Sequence, residues 1–235
     1  MVVTGVWFKS YTWGGRPREP LAKLLVSAGN SEDFVAPMHF YFDFISPFGY
    51  FAALRVGDLA SRHGRDCEWH AMLLGVSVLK VMGLKPLLET PLKGPYLNHD
   101  AARYARRHRI ALKRPLDGPA MNPVPAARAF HWLKQHHADR YRGIAVDMLD
   151  AYWREARNLE DPSEIAAIVE HRGVDGAALG TAIESDESRH LLRAAVDTSL
   201  HKGVFGSPFF IVDGEPFWGV DKIEQIDEWL TVRGW

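Results

Sequence analysis

The sequence predicts an α/β fold, a four-stranded mixed sheet in the order βαβ then ββα, split by a large all-helical insertion. Three observations predict it. An aromatic run, His39-Phe40-Tyr41-Phe42-Asp43-Phe44, stops at Ile45-Ser46-Pro47 and passes directly into helical spacing. Residues 76–202 keep helical spacing, broken only by turn formers such as Gly94-Pro95, Asp117-Gly118-Pro119 and Asn122-Pro123. Near the end, Asp213-Gly214 stands between two apolar runs, which is a hairpin signal.

Taken in order, the first strand covers 39–44, because it is short, aromatic and closed by Pro47. A helix follows from Pro47 to about His63, with Gly64 as its stop. Arg65 to Met72 reads as a second strand, and a strand–helix–strand unit of this length implies a right-handed crossover. Helical segments are then expected at 76–82, 96–109, 125–137, 141–155, 162–171, 176–183 and 185–201. The chain returns to strands at 209–212 and 216–218, and a last helix runs from Lys222 to about Val232 with Asp221 as N-cap. A hairpin joining two parallel strands gives a mixed sheet with helices on both faces. The expected partition is an N-terminal extension over 1–37, poorly structured or a leader, a sheet domain from 38–75 and 203–235, and a helical insertion domain over 76–202.

Composition removes several functional classes. With 47% hydrophobic residues, 24% charged and a net charge of -1, the chain has no bulk attraction for nucleic acid or anionic membrane. No run of about 18 apolar residues is present, which excludes a spanning helix, and a cytoplasmic location is the default. The single cysteine, Cys67, excludes an internal disulfide and a Cys-rich metal site, and reads as a small buried hydrophobe. The basic cluster Arg103, Arg106, Arg107, His108, Arg109, Lys113 and Arg114 lacks interleaved aromatics and reads as a solvated helix end. Eleven histidines show no metal-ligand spacing, so no metal is expected. Asp43, inside an apolar strand, is either a buried carboxylate tuning a site or an acceptor for backbone groups.

Two stretches carry chemistry. Ser46-Pro47 suits the cap and first turn of a helix. The same geometry sets a hydroxyl beside unpaired N–H groups at the positive end of a helix dipole, where an anion such as a thiolate is stabilised. In Gly206-Ser207-Pro208, base rates favour a trans bond. A cis bond would turn the Ser207 N–H and C=O sideways, where an extended peptide pairs as an added strand. These two stretches occupy the places of the Cys-x-x-Cys and cis-proline elements of a thioredoxin-like domain. With Ser46 and Gly49 in the first, disulfide exchange is unavailable; the chain can hold a thiol and cannot supply one.

The segments FDFISPFGYFAALR, LLGVSVLKVMGLKP, PLKGPYLNHD, KRPLDGPAMNPVPAARAF and GVFGSPFFIVDGEPFWGVDKIE resemble 2-hydroxychromene-2-carboxylate isomerases, over about Met38 to Leu230. Those are glutathione-dependent enzymes of naphthalene and related aromatic catabolism, related to kappa-class glutathione transferases and to DsbA oxidoreductases. The resemblance implies a thioredoxin-like fold, a homodimer, and Ser46 as the catalytic serine that holds the glutathione sulfur. It further implies that Ser207 and Pro208 pair with the cysteinyl unit, that Val220 and Asp221 meet the γ-glutamyl end, and that Lys93 reaches the glycyl carboxylate. Phe48 and Asn122 fall near the substrate. One position departs: Leu84 stands where the family commonly has an asparagine. The implied reaction is cis-trans isomerisation of a ring-opened aromatic acid with glutathione regenerated. The alternatives are kappa-like transfer of glutathione to an electrophile, and a non-catalytic thioredoxin-like module that binds peptide at the Ser207 edge.

Overall fold

The computed structural model describes residues 36–235. The expected extension therefore lies, apart from its last two residues, outside the described residues. The first strand, β1, is Met38–Phe42, followed by α1 (Pro47–Arg62) and β2 (Cys67–Ala71). Six insertion helices come next: α2 (Lys93–His108), α3 (Val124–His136), α4 (Tyr141–Trp153), α5 (Pro162–Glu170), α6 (Gly176–Ile183) and α7 (Asp186–His201). The hairpin β3 (Phe209–Val212) and β4 (Glu215–Trp218) and the helix α8 (Ile223–Val232) close the chain.

The sheet order is β2-β1-β3-β4, with β1 parallel to β2 and antiparallel to β3. It is the mixed sheet that the hairpin demands. Strand periodicity puts Phe40 on one face, where it meets Trp69 edge-on at 5.0 Å and stacks on Phe210 at 5.3 Å. Phe40 and Phe210 are fully buried, and truncating Phe40 to alanine costs about 3–5 kcal/mol. Helix α1 lays Tyr50, Phe51, Val56 and Leu59 on this core.

The helical insertion shares the same core. Phe130 of α3 meets Phe42 of β1 at 5.3 Å, and the Trp153 indole of α4 donates to the Phe44 carbonyl at 3.1 Å. The end of β1 is thereby fixed from the strand side and the helix side, which gives the site its rigid floor.

The structure departs from the sequence reading in places. Residues 75–81 form a wide π-type helix, with the Met82 N–H reaching back to the Ser77 carbonyl at 3.0 Å, and Leu79, Val81 and Met82 stay exposed. Helix α2 starts earlier than its periodicity suggests, at Lys93, after Leu92 at positive φ (69°). Asp221 is not the cap of α8: it sits within a single 3₁₀ turn, Val220–Lys222, and no side chain caps the helix that follows. Gly219, at φ 117°, turns the chain one step early, and the Asp221 carboxylate folds back to where a Cβ at Gly219 would stand. Among the described residues no helix is long and apolar enough to cross a membrane.

Candidate functional site

The site forms where β1 hands over to α1. Pro47 opens the helix, and Ser46, in extended conformation, caps it: its Oγ accepts from the Gly49 N–H at 3.0 Å. The hydroxyl proton goes elsewhere. Ser46 Oγ donates to the Ser207 carbonyl at 3.0 Å, across 161 residues of sequence. Ser207 answers with its own side chain, whose Oγ accepts from the Asp43 N–H at 2.9 Å. The Ser207-Pro208 bond is cis, as the family resemblance implies and base rates do not. Beyond it, the Gly219 N–H donates to the Pro208 carbonyl at 3.1 Å, tying the Val220–Lys222 turn to the same loop.

This closeness explains Gly49. A Cβ there would lie 2.6 Å from Ser207 Oγ and 3.2 Å from Ser46 Cβ. The position of a second thiol in a Cys-x-x-Cys motif is filled here by a neighbour's hydroxyl. Among the described residues, nothing accepts from the Ser207 N–H. It is a backbone donor left open beside a carbonyl that a side chain holds, the pair that an added strand requires.

Asp43 locks the turn from beneath. Fully buried, its carboxylate accepts from the Ile45 N–H at 3.2 Å and the Leu74 N–H at 2.7 Å. Burial pushes its pKa up to about 6, against the two hydrogen bonds, which pull it down. It satisfies two backbone donors, as one of the two readings expected. Cys67 is buried in β2, where burial pushes its thiol up to about 12. The chain has no nucleophilic sulfur of its own.

A small crevice of about 20 Å³ lies next to this turn and is lined by the two neighbours of Ser46, though not by Ser46 or Ser207. Ile45, Pro47, Asn98, Arg114, Tyr152 and Trp153 line it, with the 115–120 loop as its rim. Arg114 lies 3.9 Å over the Tyr152 ring and donates to the carbonyls of Tyr152 and Arg157, each at 3.1 Å. Two of its five guanidinium N–H groups are thus engaged. On the other side of the cis-proline loop, the Trp218 indole crosses Gly206 so closely that a Cβ there would meet its Nε1 at 2.3 Å. Phe205 stands edge-on to Trp218 at 4.9 Å, and both rings are exposed.

The predicted residues do not all converge. Ser46, Ser207, Pro208 and the turn holding Val220 and Asp221 come together; Val220 is buried and Asp221 exposed. Lys93 sits exposed on the first turn of α2, whose Leu97 and Asn98 reach the crevice; among the described residues it has no ion-pair partner. Phe48 packs edge-on against Phe51 at 5.9 Å and does not line the crevice. Asn122 does not line it either: it is exposed, and its Oδ1 accepts from the Val124 N–H at 3.1 Å in a local turn ahead of α3. Leu84 is exposed in the turn after the π-type helix and offers no hydrogen-bonding side chain. Asn98 and Arg114 line the crevice, and neither was named as a site residue from the sequence. The sequence placed Arg114 within a basic cluster and gave Asn98 no signal at all.

Comparison with known proteins agrees with this architecture. The family model described as a DSBA-like thioredoxin domain matches residues 38–231. A 2-hydroxychromene-2-carboxylate isomerase of Sphingobium xenophagum is 27% identical over 192 residues, 81% of this chain and 96% of that protein. The solved structure of a selenomethionine 2-hydroxychromene-2-carboxylate isomerase superposes with a TM-score of 0.73 at 23% identity, covering 84% of this chain and 96% of that one. The cytosolic disulfide reductase DsbM of Pseudomonas aeruginosa, solved with GSH, superposes with a TM-score of 0.58 at 15% identity, over 84% and 97% of the two chains.

Proposed function

The chain belongs to the DsbA-like thioredoxin family, and from that premise we propose that it is a glutathione-dependent isomerase of a ring-opened aromatic acid of the 2-hydroxychromene-2-carboxylate type. The observation that carries the proposal is the Ser46 hydroxyl held against the Ser207 carbonyl at 3.0 Å, beside an open Ser207 N–H. The curated relatives named 2-hydroxychromene-2-carboxylate isomerase support an isomerase of aromatic catabolism. Glutathione rests on less. One neighbour of the same fold was solved with it, and the residues here fit a borrowed thiol: a capping hydroxyl, an open backbone edge and no reactive cysteine.

Each residue then has a task. Ser46 donates its proton to a sulfur anion at the positive end of α1. Ser207 pairs its N–H and C=O with the backbone of an extended tripeptide, and Pro208 keeps that edge exposed. Asp221 takes an ammonium, Val220 backs it, and Lys93 takes a terminal carboxylate. The crevice lined by Ile45, Pro47, Asn98, Arg114 and Tyr152 has room for about one water and would have to widen to orient an aromatic acid beside the serine. When bound, glutathione supplies a thiolate that adds to a conjugated carbon and leaves again, so that a double bond turns without net transfer.

Ultraviolet titration of glutathione with the protein, followed by product analysis, tests this reading. The expected result is a bound thiol that ionises well below the free tripeptide and is recovered unchanged after turnover. A thiol pKa that the protein does not move would remove the reading. Stoichiometric consumption of glutathione would replace it with group transfer.

A further inference from the structure

Along β1, the parallel register places His39 beside Glu68 and Tyr41 beside His70. His39, Glu68 and His70 share the sheet face that the aromatic core does not use. One atom from each forms a triangle: His39 Nδ1 to His70 Nε2 at 3.2 Å, His39 Nδ1 to Glu68 Oε2 at 3.4 Å, and His70 Nε2 to Glu68 Oε2 at 3.5 Å. Among the described residues this is the one cluster of three or more potential metal-ligating side chains.

The triangle has the size of one face of a tetrahedral zinc site. Bonds of about 2.0–2.1 Å at tetrahedral angles hold ligand atoms about 3.3–3.4 Å apart, whereas cis ligands in an octahedron at the same bond length stand about 2.9 Å apart. Two imidazoles and one carboxylate are the donor set that zinc accepts with its fourth position left to water. The supporting contacts keep the ligands in place. The His70 ring stacks on Tyr41 at 4.5 Å and 15°. Lys134 Nζ, anchored on the Trp69 carbonyl at 3.0 Å, stands 4.0 Å from the other carboxylate oxygen, Glu68 Oε1, which leaves Oε2 to face the two rings. The facing ring nitrogens, only 3.2 Å apart, cannot both carry a proton, so at least one lone pair is directed into the triangle.

We propose that His39, Glu68 and His70 form a zinc site that ties β1 to β2 and keeps one coordination position open. Because Lys134 and Lys202 lie nearby and repel a cation, binding is of moderate strength. The site is separate from the thiol site, and its test does not depend on isomerase activity. Zinc is titrated calorimetrically into the metal-free full chain, and cobalt(II) substitution is read by visible absorption. The expected results are one zinc per chain, at least tenfold weaker binding in Glu68→Gln and in His39→Gln, and the intense absorption bands of tetrahedral cobalt. Far-UV circular dichroism checks that both variants remain folded, and the cobalt spectrum of the unmodified chain needs no variant. Equal zinc binding by the wild type and both variants, or a pale octahedral cobalt spectrum, overturns the proposal and leaves a hydrogen-bonded imidazole pair only.

Discussion

Replacing Ser46 by alanine separates two roles that share one oxygen. In the free protein Ser46 Oγ makes two hydrogen bonds, one from Gly49 N–H and one to the Ser207 carbonyl. Loss of the cap costs about 1 kcal/mol, and loss of the second bond costs about 1 kcal/mol more. For a domain of this size, about 2 kcal/mol lowers Tm by roughly 4–8 °C. The chemical role predicts something the cap does not. A hydrogen bond to a charged group is worth about 1.5–3 kcal/mol, and one pKa unit corresponds to about 1.4 kcal/mol. Ser46→Ala should therefore raise the pKa of the bound glutathione thiol by about 1–2 units and slow isomerisation near neutral pH by roughly 10–100-fold. Ser46→Thr, which keeps a hydroxyl, should recover part of both. Thermal denaturation, ultraviolet thiolate titration and turnover, run on the same three proteins, read the two roles independently. A Ser46→Ala protein that melts early yet ionises bound thiol normally would reduce Ser46 to a helix cap.

Two further perturbations probe the frame around that oxygen. Asp43, with its pKa raised to about 6 by burial, is destabilising when ionised. That cost, roughly 3 kcal/mol from its shift, is absent below its unfolded pKa of about 4, grows between pH 4 and 6, and is complete above 6. The stability of Asp43→Asn relative to wild type should therefore improve across that window, and a difference independent of pH in denaturant titrations would contradict the burial argument. Gly49→Ala should push the Ser207 loop away, since its Cβ falls 2.6 Å from Ser207 Oγ, at a cost of about 1–3 kcal/mol. In that background Ser207→Ala should cost less than in the wild type, and additive melting shifts would show that the two side chains do not compete for space.

How much of this was legible in the sequence depended on whether the signal was local. The strand–Ser-Pro–helix junction and the Asp213-Gly214 hairpin are set by their own residues, and both stand as read, because capping and turn chemistry act within a few positions. The pairing of Ser46 with Ser207 was reachable only through the family resemblance, since no local rule joins positions 161 residues apart. Asn122 was named near the substrate only through the family resemblance; in the structure its Oδ1 closes a local turn on the Val124 N–H, away from the crevice lining. The Asp221 cap failed because Gly219 turns the chain before the helix begins. The triangle of His39, Glu68 and His70 has no sequence signature, because only the parallel register of β1 and β2 brings its members together.

A last consequence of the proposed function concerns which thiols such a site would activate. In the free protein the Ser46 proton is given to the Ser207 carbonyl, so it is not available to a sulfur. That carbonyl loses a hydrogen bond if the hydroxyl rotor turns away without replacement, at a cost of about 1–3 kcal/mol for a group shielded from water. An extended peptide replaces it: its own N–H donates to the carbonyl while the Ser207 N–H gains an acceptor. Backbone pairing and thiol ionisation are then coupled, each favouring the other. Glutathione and other cysteinyl peptides should thus show a much larger fall in thiol pKa on binding than a small thiol with no amide, such as 2-mercaptoethanol at saturating concentration. Equal falls for both classes, measured by ultraviolet titration, would mean that the helix dipole alone does the work and that the Ser46–Ser207 contact is incidental to it.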